Sequence, residues 1–329
     1  MGALKIRDSR RKLRDILDHL PKDLDEYFKR VLDGVKPHYK MEMARTLLLT
    51  VFEDENYASK EVIGEIPTAD LERVSQEWVA KIHERGRDLL VVNTGQHPAF
   101  LDQPVDFLHR TVRDFLKDQY YNTLQLMSKS KESPTFIPPI SLCRIILFFL
   151  KKQPGFKDLS VHDSGFKDGC NRMIGLVDEL LYYARESEKH EDCQESEISP
   201  VADILDEVDA VNCEIFKRAD QNFRNHWTNM RDSPPQRGLD LYKEGGNHCW
   251  IALAIQAGLV KYVQGSLKKQ VSQSRKEKKL KKNGRPLLDY ALRPRRVMPM
   301  KLTYHSKREE PNIDREMVQL LLDFGEDPN

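Results

Sequence analysis

Apolar residues recur at helical spacing through most of the chain. Leu13, Ile16, Leu17 and Leu20 share one face, and Leu24, Tyr27, Phe28, Val31 and Leu32 repeat the pattern after Pro21. Pro21 ends the first helix and suits the first turn of the next, where its missing N–H costs nothing. Residues 8–33 therefore read as helix, closed by Gly34 and Pro37, and Met43, Leu47 and Val51 mark another over 39–52. Acidic residues with Gly64 and Pro67 read as a loop over 53–68. A helix starting near Thr68 then carries Leu71, Val74, Trp78 and Ile82 and ends at Gly86. Here the period drops to two. Leu89–Asn93 is an apolar, β-branched run between turn formers, Val105-Asp106-Phe107 alternates, and the two runs pair as a hairpin. From Leu108 helical spacing returns through Val112, Phe115 and Leu116, so Val105–Leu116 reads as a strand that runs on into a helix.

Further along, residues 128–139 are rich in Ser, Lys and Pro and read as a linker. Ser141 is placed to cap a helix bearing Leu142, Ile145, Ile146, Phe149 and Leu150, and Met173, Leu176, Val177, Leu180 and Leu181 mark the next. Glu186–Glu197 is acidic and polar and reads as an exposed loop. Pro200 opens a helix with Val201, Ile204, Leu205, Val208 and Val211 on its apolar face. Pro234-Pro235 and Gly245-Gly246 make 231–247 a second linker. Beyond it an internal echo is visible: Trp250–Val260 is restated at its opening by Pro286–Leu292, and Val318–Asn329 supplies a Leu-rich closing half with Gly325 at a helix end. The expected fold is mainly α. It comprises a winged-helix-like domain with a small β-hairpin over 1–127, a helical bundle region over 140–230 and degenerate ankyrin-like repeats over 248–329.

The chain has 329 residues, enough for more than one core, and its net charge of +1 gives no global field towards nucleic acid or membranes. Cys143, Cys170, Cys193, Cys213 and Cys249 form no Cys-x-x-Cys pair, which argues against a zinc cluster or disulfide framework and fits a reducing compartment. The N-terminus carries no apolar signal stretch. The longest apolar run, Ile140–Leu150, falls short of the ~20 residues of a membrane span. No Gly-x-x-x-x-Gly-Lys-Ser/Thr loop, Gly-x-Ser-x-Gly elbow or His-Glu-x-x-His occurs, so no motif supports an enzyme, a metal or a cofactor. The acids at Glu53-Asp54-Glu55 and Glu207/Asp209 read as solvated faces.

Four pieces of the sequence together resemble the region that follows the nucleotide-binding domain in fungal NACHT-type NLR-like (STAND) proteins. They are Leu20–Leu24 with Tyr27-Phe28, Arg87–Val92, Phe107–Leu116, and Ile251–Val263 followed by Arg285–Pro294. The resemblance implies a regulatory winged helix that holds a nucleotide switch shut, and a repeat tract that senses a protein partner. It also implies that His109, at the start of the closing helix, approaches a bound nucleotide's phosphate, with Arg110 and Arg113 nearby. A helix N-terminus suits an anion on general grounds. The missing phosphate loop makes any NACHT domain a partner to be supplied.

The competing role for His109 is to cap its helix and bond a backbone carbonyl, and exposed arginines commonly do no more than pair with neighbours. The basic run within 268–285 is expected to be a loop. Its Lys278, Lys279, Lys281 and Lys282 are candidates for nucleic-acid binding or nuclear targeting, although no interleaved aromatics are present to stack bases. The acidic 186–214 region is a candidate intramolecular partner for that run. The leading expectation is a cytoplasmic, non-enzymatic regulatory and protein-interaction module. The alternative is a nucleic-acid-binding protein using the winged helix and the basic loop, which the mixed charge of the 70–85 helix disfavours.

Overall fold

A computed structural model describes residues 24–52, 79–84, 86, 89–92, 105–129, 136–152, 164–190, 198–217, 250–273, 286–292 and 313–326. Helices dominate, with one two-stranded antiparallel sheet among the described residues, so the mainly α class with a small β pair is borne out. Described residues up to 136 gather into one compact unit and those from 137 on into another. Several expectations lie outside the described residues: the helix before Leu24, the loop over 53–68, the Leu71–Trp78 stripe and the 231–247 linker.

In the first unit, α1 (Leu24–Asp33) buries Phe28 and Leu32, one turn apart, and carries Asp25 and Glu26 in its first turn, where the helix dipole favours them. A single 3-10 turn at Pro37–Tyr39 leads into α2 (Lys40–Phe52). Met43, Ala44, Leu47 and Leu48 on α2 are fully enclosed. Strands β1 (Leu90–Val92) and β2 (Val105–Phe107) pair with Leu90 opposite Phe107, Val91 opposite Asp106 and Val92 opposite Val105. Leu90 and Phe107 share the core face, while Asp106 turns to solvent and its own Oδ1 accepts the Phe107 N–H at 2.7 Å. The chain then enters α3 (Arg110–Phe115), a five-residue π-helical segment (Leu116–Tyr120) and α4 (Tyr121–Ser128). Across the π segment Leu116, Tyr120 and Leu124 stay buried, and Phe115 lies 5.4 Å from the Phe28 ring and 5.6 Å from that of Tyr120. Arg45 of α2 closes the end of α4 by donating to the Ser128 carbonyl at 3.0 Å.

The second unit holds α5 (Pro138–Lys152), α6 (Ser164–Lys189), α7 (Ala202–Lys217), α8 (Trp250–Ala257), α9 (Val260–Gln273), α10 (Leu287–Leu292) and α11 (Arg315–Asp323). All contribute to one hydrophobic core. Two expectations are corrected here. Helix α5 begins at Pro138, not behind a cap at Ser141, because proline is well suited to a first helical turn. Helix α6 runs to Lys189, so the start of the supposed 186–197 loop is helical, with Ser187 and Glu188 buried; residues 191–197 lie outside the described set.

Two helix ends of the second unit share one geometry. Gly258 (φ 71°) and Gly325 (φ 88°) both adopt the left-handed conformation. In each case the next N–H reaches back five residues, Leu259 to Ala254 at 3.0 Å and Glu326 to Leu321 at 3.1 Å. At Gly258 a side chain would also meet the Arg185 guanidinium at 3.2 Å and the Asp314 carboxylate at 3.3 Å.

Phe115→Ala removes a ring that joins α1, α3 and the π segment and should cost about 3–5 kcal/mol. Leu126→Ala, on the solvent side of α4, should stay within ~0.5 kcal/mol. Urea unfolding of the two variants measures both; equal effects would contradict the packing described.

Candidate functional site

The backbone changes character at one residue. His109 is extended (φ −149°, ψ 146°), and helix begins at Arg110. The preceding residue is tied to the sheet, with the Leu108 N–H donating to the Leu89 carbonyl at 2.9 Å. The following residue is tied to the imidazole, with the Thr111 N–H donating to His109 Nδ1 at 3.2 Å and the Thr111 hydroxyl 2.9 Å from the same nitrogen. His109 is therefore the helix cap, as one of its two expected roles had it, but it caps by accepting an N–H rather than by bonding a carbonyl. With Nδ1 acting as acceptor, the ring hydrogen of the neutral imidazole sits on Nε2.

The other two candidate cations have separate partners. Arg110 points into solvent and lies 3.7 Å from Asp114, a long and exposed i,i+4 pair. Arg113 turns back over the unit, with its guanidinium 5.9 Å above the Phe107 ring and 3.5 Å from the Thr50 carbonyl. Leu108, assigned by spacing to the helix's apolar stripe, instead precedes the cap and is 62% exposed. Its neighbour Phe107 is buried and so is Val112, so the corner itself presents Leu108, His109 and Arg110 outward.

Of the basic run, Lys268 and Lys269 belong to α9, which corrects the expectation of a loop starting at 268. Lys278, Lys279, Lys281 and Lys282 lie outside the described residues. Lys269 does meet the acidic region, 3.4 Å from Asp206 on α7. The other oxygen of Asp206 accepts the Tyr262 hydroxyl at 2.7 Å, and that hydroxyl accepts the Trp250 indole N–H at 3.1 Å. Burial, reinforced by Asp206, pushes the Tyr262 hydroxyl far above its ordinary pKa, so it stays a donor. Glu207, read as a solvated acid, pairs with Lys151 at 2.7 Å.

Sequence reasoning missed Glu188. It is only 8% exposed, and its two oxygens accept the N–H groups of Lys261 and Tyr262 at 3.1 and 3.0 Å, at the start of α9. The end of α6 thus caps a helix more than seventy residues later in the chain. The only sequence signal was an acid one turn past Ala184 on the buried stripe of α6. Asp314 does the same for α11, accepting from Glu316 and Met317, and Glu326 lies 3.5 Å from the Leu288 N–H at the start of α10.

Among the described residues no cluster of three His, Cys, Asp or Glu side chains could hold a metal ion, and no helix is long and apolar enough to cross a membrane. No family model, no curated protein and no solved structure matches the chain.

Two predictions follow from the caps. His109→Ala leaves the Thr111 N–H unpaired and should cost ~1 kcal/mol of stability, while His109→Asn, another capping residue, should recover most of it. Urea denaturation distinguishes the two; identical losses would remove the capping role. At Glu188, desolvation outweighs the nearby Ser199 hydroxyl, the two N–H groups and the Lys261 charge and raises the carboxyl above its ordinary 4.5. A carboxyl raised in the folded state supports folding while protonated and loses that contribution as pH rises through its folded pKa. Relative to Glu188→Gln, the wild-type chain should therefore become progressively less stable from pH 4.5 towards neutrality. A difference that is flat with pH, or of opposite slope, would contradict the assignment.

Proposed function

We propose that the chain is a non-enzymatic regulatory and protein-interaction module, working as the region after the nucleotide-binding domain works in the fungal NACHT-type NLR-like proteins it resembles. In this reading the Val105–Leu116 corner is a latch. It docks onto a nucleotide-binding domain through Leu108, His109 and Arg110, and the C-terminal helices of the second unit meet a further protein partner.

The observation that carries the reading is the exposure of Leu108 at a corner whose backbone is fixed on both sides. A single exposed leucine is ordinary. A leucine held between a sheet hydrogen bond and a helix cap loses little freedom on binding, and such pre-organisation favours affinity. The Nε2–H of His109 and the guanidinium of Arg110 add a donor and a cation beside it, the mixture of apolar anchor and polar rim that protein interfaces use. For contact with the phosphate of a domain-bound nucleotide, Nε2–H of His109 is the group left to donate. Arg113, engaged with Phe107 and Thr50, serves the unit's own packing.

Calorimetric titration of the full chain with a purified, ADP-loaded NACHT-type nucleotide-binding domain tests this. Saturable association is expected, with Leu108→Ala weakening it about ten-fold, or ~1.4 kcal/mol, and no ATP turnover by the chain alone. Association that ignores Leu108→Ala, or ATP hydrolysis by the isolated chain, would overturn it.

A further inference from the structure

A groove runs along the first unit between α1 and the α3–π stretch. It has a volume of about 530 Å³ and is lined by Leu24, Asp25, Phe28, Thr111, Asp114, Phe115, Asp118 and Gln119. That volume lies within the ~300–1,000 Å³ range of ligand pockets. More of its accessible wall is apolar than polar. Leu24 stands 59% exposed at one lip. Thr111 to Gln119 spans two helical turns, about 12 Å.

The described charged residues of the groove are all acidic. Among the described residues Asp25, Asp114 and Asp118 line it and no lysine or arginine does. Two of them, Asp114 and Asp118, stand open to solvent at the groove's edge. Asp25 accepts from Gln119 Nε2 at 2.6 Å, which ties α1 to the end of the π segment. Asp114 faces Arg110 at 3.7 Å with both side chains more than half exposed, a pair worth ~0–1 kcal/mol. Asp118 has no ion pair among the described residues. A phosphate or acidic peptide would be repelled here. A metal ion is disfavoured too, since the three carboxylates do not converge on one point. What remains complementary is an organic cation with an apolar stem, and the two-turn length calls for more than one.

We propose that this groove docks a short basic segment of a partner protein, an apolar residue flanked by lysine or arginine. The apolar side chain lies against Leu24 and over Phe28 and Phe115. The flanking cations reach Asp118 at one end and Asp114 at the other, displacing Arg110. Arg and Lys are suited to this because their methylene stems cover apolar surface while the charged head stays with the carboxylates. The latch reading shares only Arg110 with this site; Leu24 and Asp118 lie outside the latch, so binding lost with Leu24→Ala but kept with Leu108→Ala separates the two.

The test is fluorescence anisotropy of the full chain with a labelled peptide, Gly-Lys-Leu-Arg-Leu-Lys-Gly, beside its counterpart with glutamate at every basic position. The basic peptide should bind saturably and more weakly as salt is raised, and the acidic one should not bind. Asp114→Asn/Asp118→Asn should weaken binding about ten-fold or more, as should Leu24→Ala. Glu207→Gln in the second unit should change nothing. Both substitution sets lie on exposed positions, and an unchanged melting temperature separates lost binding from lost fold. Equal binding of the two peptides, undiminished affinity in the groove variants, or no binding of the basic peptide would each overturn the proposal.

Discussion

The first unit depends on a backbone that must pass from sheet to helix at His109 without stranding its amides. A strand end and a helix start are both places where peptide groups lack their regular partners. Leu108 sends its N–H back to the sheet, and the imidazole takes the N–H of Thr111. With those bonds made, α3 leaves the sheet in a fixed direction. Val112 and Phe115 then fall into the core and Phe115 meets Phe28 and Tyr120. The groove on the other side of Phe115 and the outward corner at Leu108 both follow from that direction. Packing therefore fixes what the surface offers.

The second unit solves a related problem by a longer route. Its C-terminal helices are short, and a short helix is marginal unless its ends are satisfied. Carboxylates stand at the starts of α9, α10 and α11, and left-handed glycines close α8 and α11. Glu188 carries the heaviest cost of these, since a buried carboxylate gives up its hydration, and the two backbone donors only partly offset that loss. Asp206 extends the same logic by holding Tyr262 and Lys269 at once.

What the sequence made legible was local. The switch from period two to helical spacing placed the hairpin and the corner, and Gly325 was readable as a helix end because left-handed turns admit few other residues. What it hid was any function of an acidic residue carried by distant packing. Glu188 lies in a stretch whose composition reads as solvated, and only α9, folded against the end of α6, turns it into a cap. The groove was hidden for the same reason: Asp25 and Asp118 are remote in sequence and become neighbours only through the α1–α3 contact. Leu108 was misplaced because spacing alone assigned it to a helix that begins two residues later.

We propose that the Leu108–Arg110 corner, whose backbone is bonded on both sides, is a rigid surface for a protein partner. Amide hydrogen exchange of the full chain, with and without an ADP-loaded nucleotide-binding domain, addresses it most directly. Slow exchange is expected at Leu108 and Val112 in the free chain, whose N–H groups are bonded within the unit, and added protection centred on residues 108–113 in the complex. Fast exchange at the corner in the free chain, or protection confined to other surfaces on binding, would contradict it.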